Sequence, residues 1–305
     1  MNNPNKTRLR RSMMFLNCQK PGLIKDPYIY KLDSIMLDLE DAVAENQKDA
    51  ARFSLYHALR EIDYRGVERV VRINGLDTPH WKEDVRVCVA GGCDAIRIAK
   101  TEKAEDVRTV EAAVLAAEKE FGRLAGSTLL MAAIESARGV VNINEICESS
   151  DRLFGVALSG GDYTKDLQTS ISKSGVELMG ARQLMVIAAR AAKIQCFDTV
   201  FTDLDDMEGF RREVEMDKQM GFDGKSLINP RQIAAAHKVY SPDPARVEWA
   251  KKITKVFEEE GLAKGSASVG FEGSMIDIPV YRDGLNILAR QKEIEEKEAA
   301  RGAKA

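Results

Sequence analysis

Glu135 and Asp162 are the two side chains of this 305-residue chain whose placement most directly implies chemistry. Each follows a short apolar run. Leu129 to Ile134 leads into Glu135, and Val156-Ala157-Leu158 leads through Ser159-Gly160-Gly161 to Asp162. Such runs read as buried parallel strands, and in a barrel of parallel strands the carboxyl ends converge on one mouth. Two carboxylates meeting there suit a hard divalent cation, typically Mg2+ with some waters retained, able to polarise a keto or hydroxyl oxygen. The alternative is that each acid neutralises a cation of the barrel.

Arg72 closes the run Val70-Val71. A guanidinium at a strand end can hold a carboxylate through two parallel hydrogen bonds. It can equally form an ion pair with Asp38, Glu40 or Asp41, and both roles can hold together, because a substrate-binding arginine needs neighbours that set its orientation. Asp38 and Glu40 share one face of their strand. Lys100, just past Ile96-Arg97-Ile98, is their expected partner across the mouth. Asp277, in Met275-Ile276-Asp277-Ile278-Pro279, reads by pattern as a cap or turn residue. The stretch Gly221 to Pro230 is either an approach for a phosphate-bearing ligand or a plain turn into a strand, and no Gly-x-x-x-x-Gly-Lys-Ser/Thr motif of a P-loop is present.

These residues need a frame. Strands are expected near Ser12–Leu16, Ser34–Leu39, Arg69–Ile73, Ala95–Ala99, Leu129–Ile134, Leu153–Leu158, Thr199–Thr202 and Gly224–Ile228. Amphipathic helices are expected over Gln47–Ile62, Lys103–Phe121, Val176–Ile194 and Glu208–Met220. This alternation predicts an α/β fold, a (β/α)8 TIM barrel. A doubly wound open sheet would place a glycine-rich phosphate turn after its first strand, where this chain has Asn17-Cys18-Gln19-Lys20-Pro21-Gly22. Composition shifts after Tyr240, so residues 1–240 are read as the catalytic barrel and 241–305 as a C-terminal helical extension. Within it Arg246–Gly261 reads as a charged helix, and Gln291–Ala305 as a solvated helix fraying into a tail.

Apolar residues make up 44% of the chain, enough for a large core. Lys plus Arg (45) nearly balances Asp plus Glu (48), and the net charge of −3 gives no electrostatic case for nucleic acid or a membrane surface. No apolar stretch reaches the ~18 residues of a membrane span. Met1 to Lys6 lacks the apolar core of a signal peptide, so a cytoplasmic protein is expected. Five cysteines without a Cys-x-x-Cys pair read as reduced, buried thiols, with Cys18 the one close to the mouth. The three histidines fall in helical or loop segments, which argues against His-based acid–base chemistry and a His-ligated zinc.

In order along the chain, Arg10-Arg11-Ser12-Met13-Met14-Phe15, Met36 to Val43, Val71-Arg72-Ile73-Asn74, Ala132 to Ser136, Phe197 to Val200, Gly221 to Ile233 and Met275-Ile276-Asp277 resemble the β-subunits of citrate lyase. Those belong to the wider HpcH/HpaI aldolase and acyl-CoA lyase family, which includes malyl-CoA and citramalyl-CoA lyases. The resemblance runs from about Arg8 to Ala289. It implies a (β/α)8 barrel, Mg2+ held at Glu135 and Asp162, and a substrate carboxylate held at Arg72. It also implies that the C-terminal extension crosses to a neighbouring subunit of a homo-oligomer, where Asp277 completes the site as a catalytic residue. The implied reaction cleaves a citryl thioester to oxaloacetate and an acetyl thioester. The partners would be an acyl carrier protein and an acyl-transferase subunit, or free CoA thioester. A free-standing malyl- or citramalyl-CoA lyase or thioesterase, and a non-catalytic assembly subunit, are the alternatives. Three departures surround the mouth: Asn17-Cys18 where relatives carry Pro-Gly, Gly160-Gly161 where they carry Ala-Glu, and no arginine in Gln168 to Gly175. They leave the acyl group open.

Overall fold

Short runs of Val, Ile, Leu, Met and Ala with no room for a polar face can only pair inside a protein, and this chain closes them on one another. The structure, a computed structural model, describes residues 4–302. Among these the strands β1 (Ser12–Asn17), β2 (Ser34–Asp38), β3 (Glu68–Ile73), β4 (Ala95–Ile98), β5 (Leu129–Ile134), β6 (Leu153–Leu158), β7 (Gln195–Asp198) and β8 (Gly224–Leu227) form a closed barrel. Every pair is parallel, and β8 returns to β1. Alternate residues point inward, and the interior is packed with Met13, Met36, Val70, Ala95, Leu129, Met131, Phe154, Ala157 and Phe197.

Buried charges at the foot of the barrel are compensated. Arg10 forms a bidentate pair with Glu68, at 2.7 and 2.6 Å, and lies 3.9 Å above the Phe154 ring. Arg11 pairs with Asp33 at 2.8 Å. Between β7 and β8, Lys225 reaches Asp198, Glu213 and Asp217 at 2.6, 2.8 and 2.9 Å, and Arg182 adds a 2.8 Å bridge to Asp198. These three acids lie close enough together to hold a metal ion, but Lys225 and Arg182 already occupy the space between them. Gly221, with φ +106°, ends the helix Met207–Met220, and a Cβ at Gly224 would meet the Arg10 carbonyl at 1.9 Å. The glycines of this segment serve a turn and a close approach at the amino end of β8, away from the mouth.

β5 and β6 fall where the sequence places them, and β7 does not. Thr199-Val200-Phe201-Thr202 has strong strand propensity, yet the ladder pairs Gly155 with Gln195, so β7 is complete by Asp198. The apolar run beyond it becomes a loop at the mouth. The helix Trp81–Gly91 is also not among the expected segments.

The chain divides into two compact units with the boundary between His237 and Lys238. The second holds the helix Pro244–Val256, a π-turn Phe257–Gly261, a hairpin of β9 (Ser268–Phe271) and β10 (Ser274–Asp277), and the helix Ile278–Gly302. Its core is Ile253, Phe257 and Ile276, with Tyr281 stacked on Phe257 at 4.8 Å. The hairpin lies in a stretch that its serines and glycines mark only as a loop. Glu272 and Gly273 turn it, both at positive φ (46° and 77°). Residues 1–3, and the end of the expected tail at 303–305, lie outside the described residues.

Candidate active site

The barrel interior changes character at its carboxyl end. Asp38 ends β2, Arg72 is the penultimate residue of β3, and Arg97 lies in β4; the register pairs Asp38 with Arg72 and Arg72 with Arg97. With Phe15, Asp41, Ser159, Gly160, Gly161, Asp162, Thr199 and Ser226, these residues line a cavity of about 420 Å³.

Arg72 is held at three corners. Nε and Nη2 donate to the two Asp38 oxygens at 2.8 and 2.7 Å, and Nη1 lies 2.7 Å from Glu40. Asp41 is more distant, at 3.7 Å, and half exposed. Lys100 lies 3.0 Å from the other Glu40 oxygen, so Glu40 bridges two cations. Burial nevertheless raises the Glu40 pKa above the ordinary carboxylate value, against the pull of Arg72. The turn that carries Glu40 is pinned by the buried Lys48, whose Nζ donates to the Leu39 and Glu40 carbonyls, both at 2.8 Å. Lys100 itself adopts left-handed backbone, φ 51°, a strained conformation for a residue with a side chain.

Glu135 directly follows β5 and is buried. Ser159 donates to its Oε1 at 3.2 Å, while Oε2 has no hydrogen-bond partner. Burial raises its pKa, the Arg97 and Arg72 charges oppose this, and the Asp162 charge adds to the rise. Ser136, the next residue, accepts the Gly139 N–H and caps the helix Ala137–Val141, fixing how the chain leaves Glu135. Ser136→Ala is expected to destabilise the protein by ~1 kcal/mol, measured by urea unfolding.

Asp162 is not at a strand end. It sits in the first turn of the helix Gly160–Asp166, past β6, and pairs with Lys165 at 2.9 Å. Thr199 accepts the Gly160 N–H at 2.8 Å and so fixes the start of that helix. A bare buried oxygen on Glu135 and a half-exposed carboxylate beside the cavity are the donor chemistry a hard cation needs, with water or substrate oxygens completing the shell. The residues fit Mg2+. Asp277 lies in the second unit at the end of β10, where its Oδ1 accepts the Val280 N–H at 3.1 Å. Cys18 is fully buried and desolvation pushes its thiol pKa up, so it is no poised nucleophile.

Arg97, Ser159, Thr199 and Phe15 escape a reading that looks for charge at strand ends. Arg97 had a signal, a basic residue at an inward position of an otherwise apolar strand.

The HpcH/HpaI aldolase/citrate lyase family matches residues 11–230. The chain belongs to this family. Among family members, the citrate lyase subunit beta of Leuconostoc mesenteroides subsp. cremoris is 51% identical over 276 residues, covering 90% of this chain and 91% of that protein. Protein CitE of Mycobacterium tuberculosis, crystallised with magnesium, acetoacetate and coenzyme A, superposes with a TM-score of 0.73 at 27% identity, covering 93% of this chain and 98% of that one. A structure of the citrate lyase beta subunit from M. tuberculosis with oxaloacetate and magnesium gives 0.65 at 27% identity, covering 78% and 100%. The HpcH/HpaI fold of this chain is therefore a (β/α)8 barrel, and among its described residues no helix is long and apolar enough to cross a membrane.

Proposed function

We propose that this chain is a carbon–carbon lyase that cleaves a citryl thioester to oxaloacetate and an acetyl thioester. The observation that carries the reading is the bare Oε2 of buried Glu135, within electrostatic reach of Asp162, Arg72 and Arg97, in a chain 51% identical over 276 residues to a citrate lyase beta subunit. The bond that breaks joins the carbinol carbon to the thioester's methylene. The hydroxyl gives up its proton to water and becomes the ketone of oxaloacetate, and the donor that later protonates the enolate regains a proton from water, so none is gained or lost overall. The bonding pair moves onto the acetyl fragment as an enolate, which takes a proton at carbon.

Arg72, oriented by Asp38 and Glu40, grips a carboxylate of the oxaloacetate half. Glu135 and Asp162 would hold Mg2+, which would supply Lewis-acid stabilisation of negative charge on the substrate oxygen. Lys100 and Glu40 balance charge at the rim. Asp277 delivers the proton to the enolate carbon, a role worth about 10²–10⁴-fold. In this reading residues 241–305 extend from the barrel of residues 1–240 to a neighbouring subunit of a homo-oligomer, and Asp277 serves that subunit's mouth. The acyl group arrives on an acyl carrier protein, with an acyl-transferase subunit alongside, or as a CoA ester. The setting is cytoplasmic.

Purified protein with Mg2+ is expected to release oxaloacetate from citryl-CoA, read by coupling to malate dehydrogenase, and to stop on chelation. Cleavage of malyl- or citramalyl-CoA in preference would redirect the substrate. Inertness toward all three would point to an assembly role.

A further inference from the structure

Six arginines are buried among the described residues: Arg10, Arg11, Arg52, Arg72, Arg97 and Arg182. Five have a carboxylate within ion-pair distance. Arg97 has none. It is 1% exposed, yet its only hydrogen bond is from Nη2 to the Ser159 hydroxyl at 2.8 Å, and Nε and Nη1 have no partner. The register sets it directly beside Arg72, so two like charges face each other in a buried layer, and Asp38 is already committed to Arg72. Like charges in that arrangement destabilise a sheet, and a buried cation with no carboxylate at ion-pair distance is costly. Both penalties are lifted if an anion enters the cavity that Arg97 lines.

We propose that Arg97 receives a second carboxylate of the substrate, the CH2COO− arm that a citryl group carries where a citramalyl group has a methyl, and so sets the acyl preference of the site. This rests on the lyase reading and deepens it. Arg72 is compensated by Asp38 and Glu40 and keeps only its remaining N–H groups for the first carboxylate; Arg97 has no carboxylate of the protein at ion-pair distance. The half-buried Phe15 ring lies 5.1 Å from the Arg72 guanidinium carbon and 5.3 Å from that of Arg97. It lies against both guanidiniums and lines the same cavity. The link from Arg97 through Ser159 to Glu135 then ties recognition of that arm to the orientation of the metal-binding carboxylate.

The test compares oxaloacetate with pyruvate, which differ by the same CH2COO− for CH3 exchange, by calorimetry on the full chain with Mg2+. The wild type is expected to favour oxaloacetate by about 10–100-fold, the scale of charge-assisted hydrogen bonds. Arg97→Met is expected to erase that preference while weakening pyruvate binding far less than oxaloacetate binding, with a matching fall in the kcat/KM ratio of citryl-CoA over citramalyl-CoA. Arg97→Gln gives the same comparison should the Met variant not fold. Loss of both ligands alike would reduce Arg97 to a support for Glu135 and overturn the proposal. So would an intact preference in the variant, or none in the wild type. A wild type that prefers oxaloacetate through Arg97 but cleaves no thioester would overturn the lyase reading alone.

Discussion

Glu135→Gln is expected to lower Mg2+-dependent release of oxaloacetate by ~10³-fold or more while the barrel stays folded. A Lewis acid contributes several kcal/mol to such a step, and each 1.36 kcal/mol is tenfold in rate. The substitution keeps the volume and the oxygen that accepts from Ser159, but it removes the negative charge and the bare Oε2 that would face the ion. Burial raises the pKa of this carboxyl, so removing its charge also removes a desolvation cost. Thermal unfolding of the variant should therefore stay close to wild type, whereas calorimetric Mg2+ binding should be lost along with turnover. Full activity in the variant would remove Glu135 from the metal site.

The barrel was legible because its strands are buried on both faces, which forces unbroken apolar runs; β5 and β6 lie where those runs lie. The reading failed where propensity and register disagree. Thr199 to Thr202 looks more like a strand than Gln195-Cys196-Phe197-Asp198, but the ladder to β6 chooses the latter. That error concealed Thr199, which the misplacement turned from a mouth residue into a strand residue. Charge at strand ends brought out Asp38, Arg72 and Glu135. Asp162, read as lying at the end of a strand, stands instead on the first turn of the helix after β6. Arg97 was passed over because a run read for apolarity hides one basic residue in its middle. The pairing of Arg72 with Asp38 and Glu40 was one of two open readings, and the 2.7–2.8 Å contacts show how tightly the acids fix its orientation. Distances of this kind come only from the register that brings three strands side by side.

Asp277→Ala is expected to reduce turnover by about 10²–10⁴-fold, the range for loss of a positioned acid or base, and Arg72→Ala to be comparably impaired. Mixed after dissociation and reassembly, the two inactive proteins should regain activity. In such an oligomer the Asp277→Ala subunit supplies an intact mouth, and the Arg72→Ala subunit supplies an intact extension. Random pairing makes about one site in four whole when each mouth is served by its neighbour. The second unit has the construction this requires. Its own core of Ile253, Phe257 and Ile276 holds the hairpin together, while Met275, next to that core and two residues before Asp277, is 68% exposed. Recovery should rise with the fraction of mixed oligomers, followed by native mass spectrometry. Mixed oligomers that form and stay inactive would mean that each Asp277 serves its own barrel, or none.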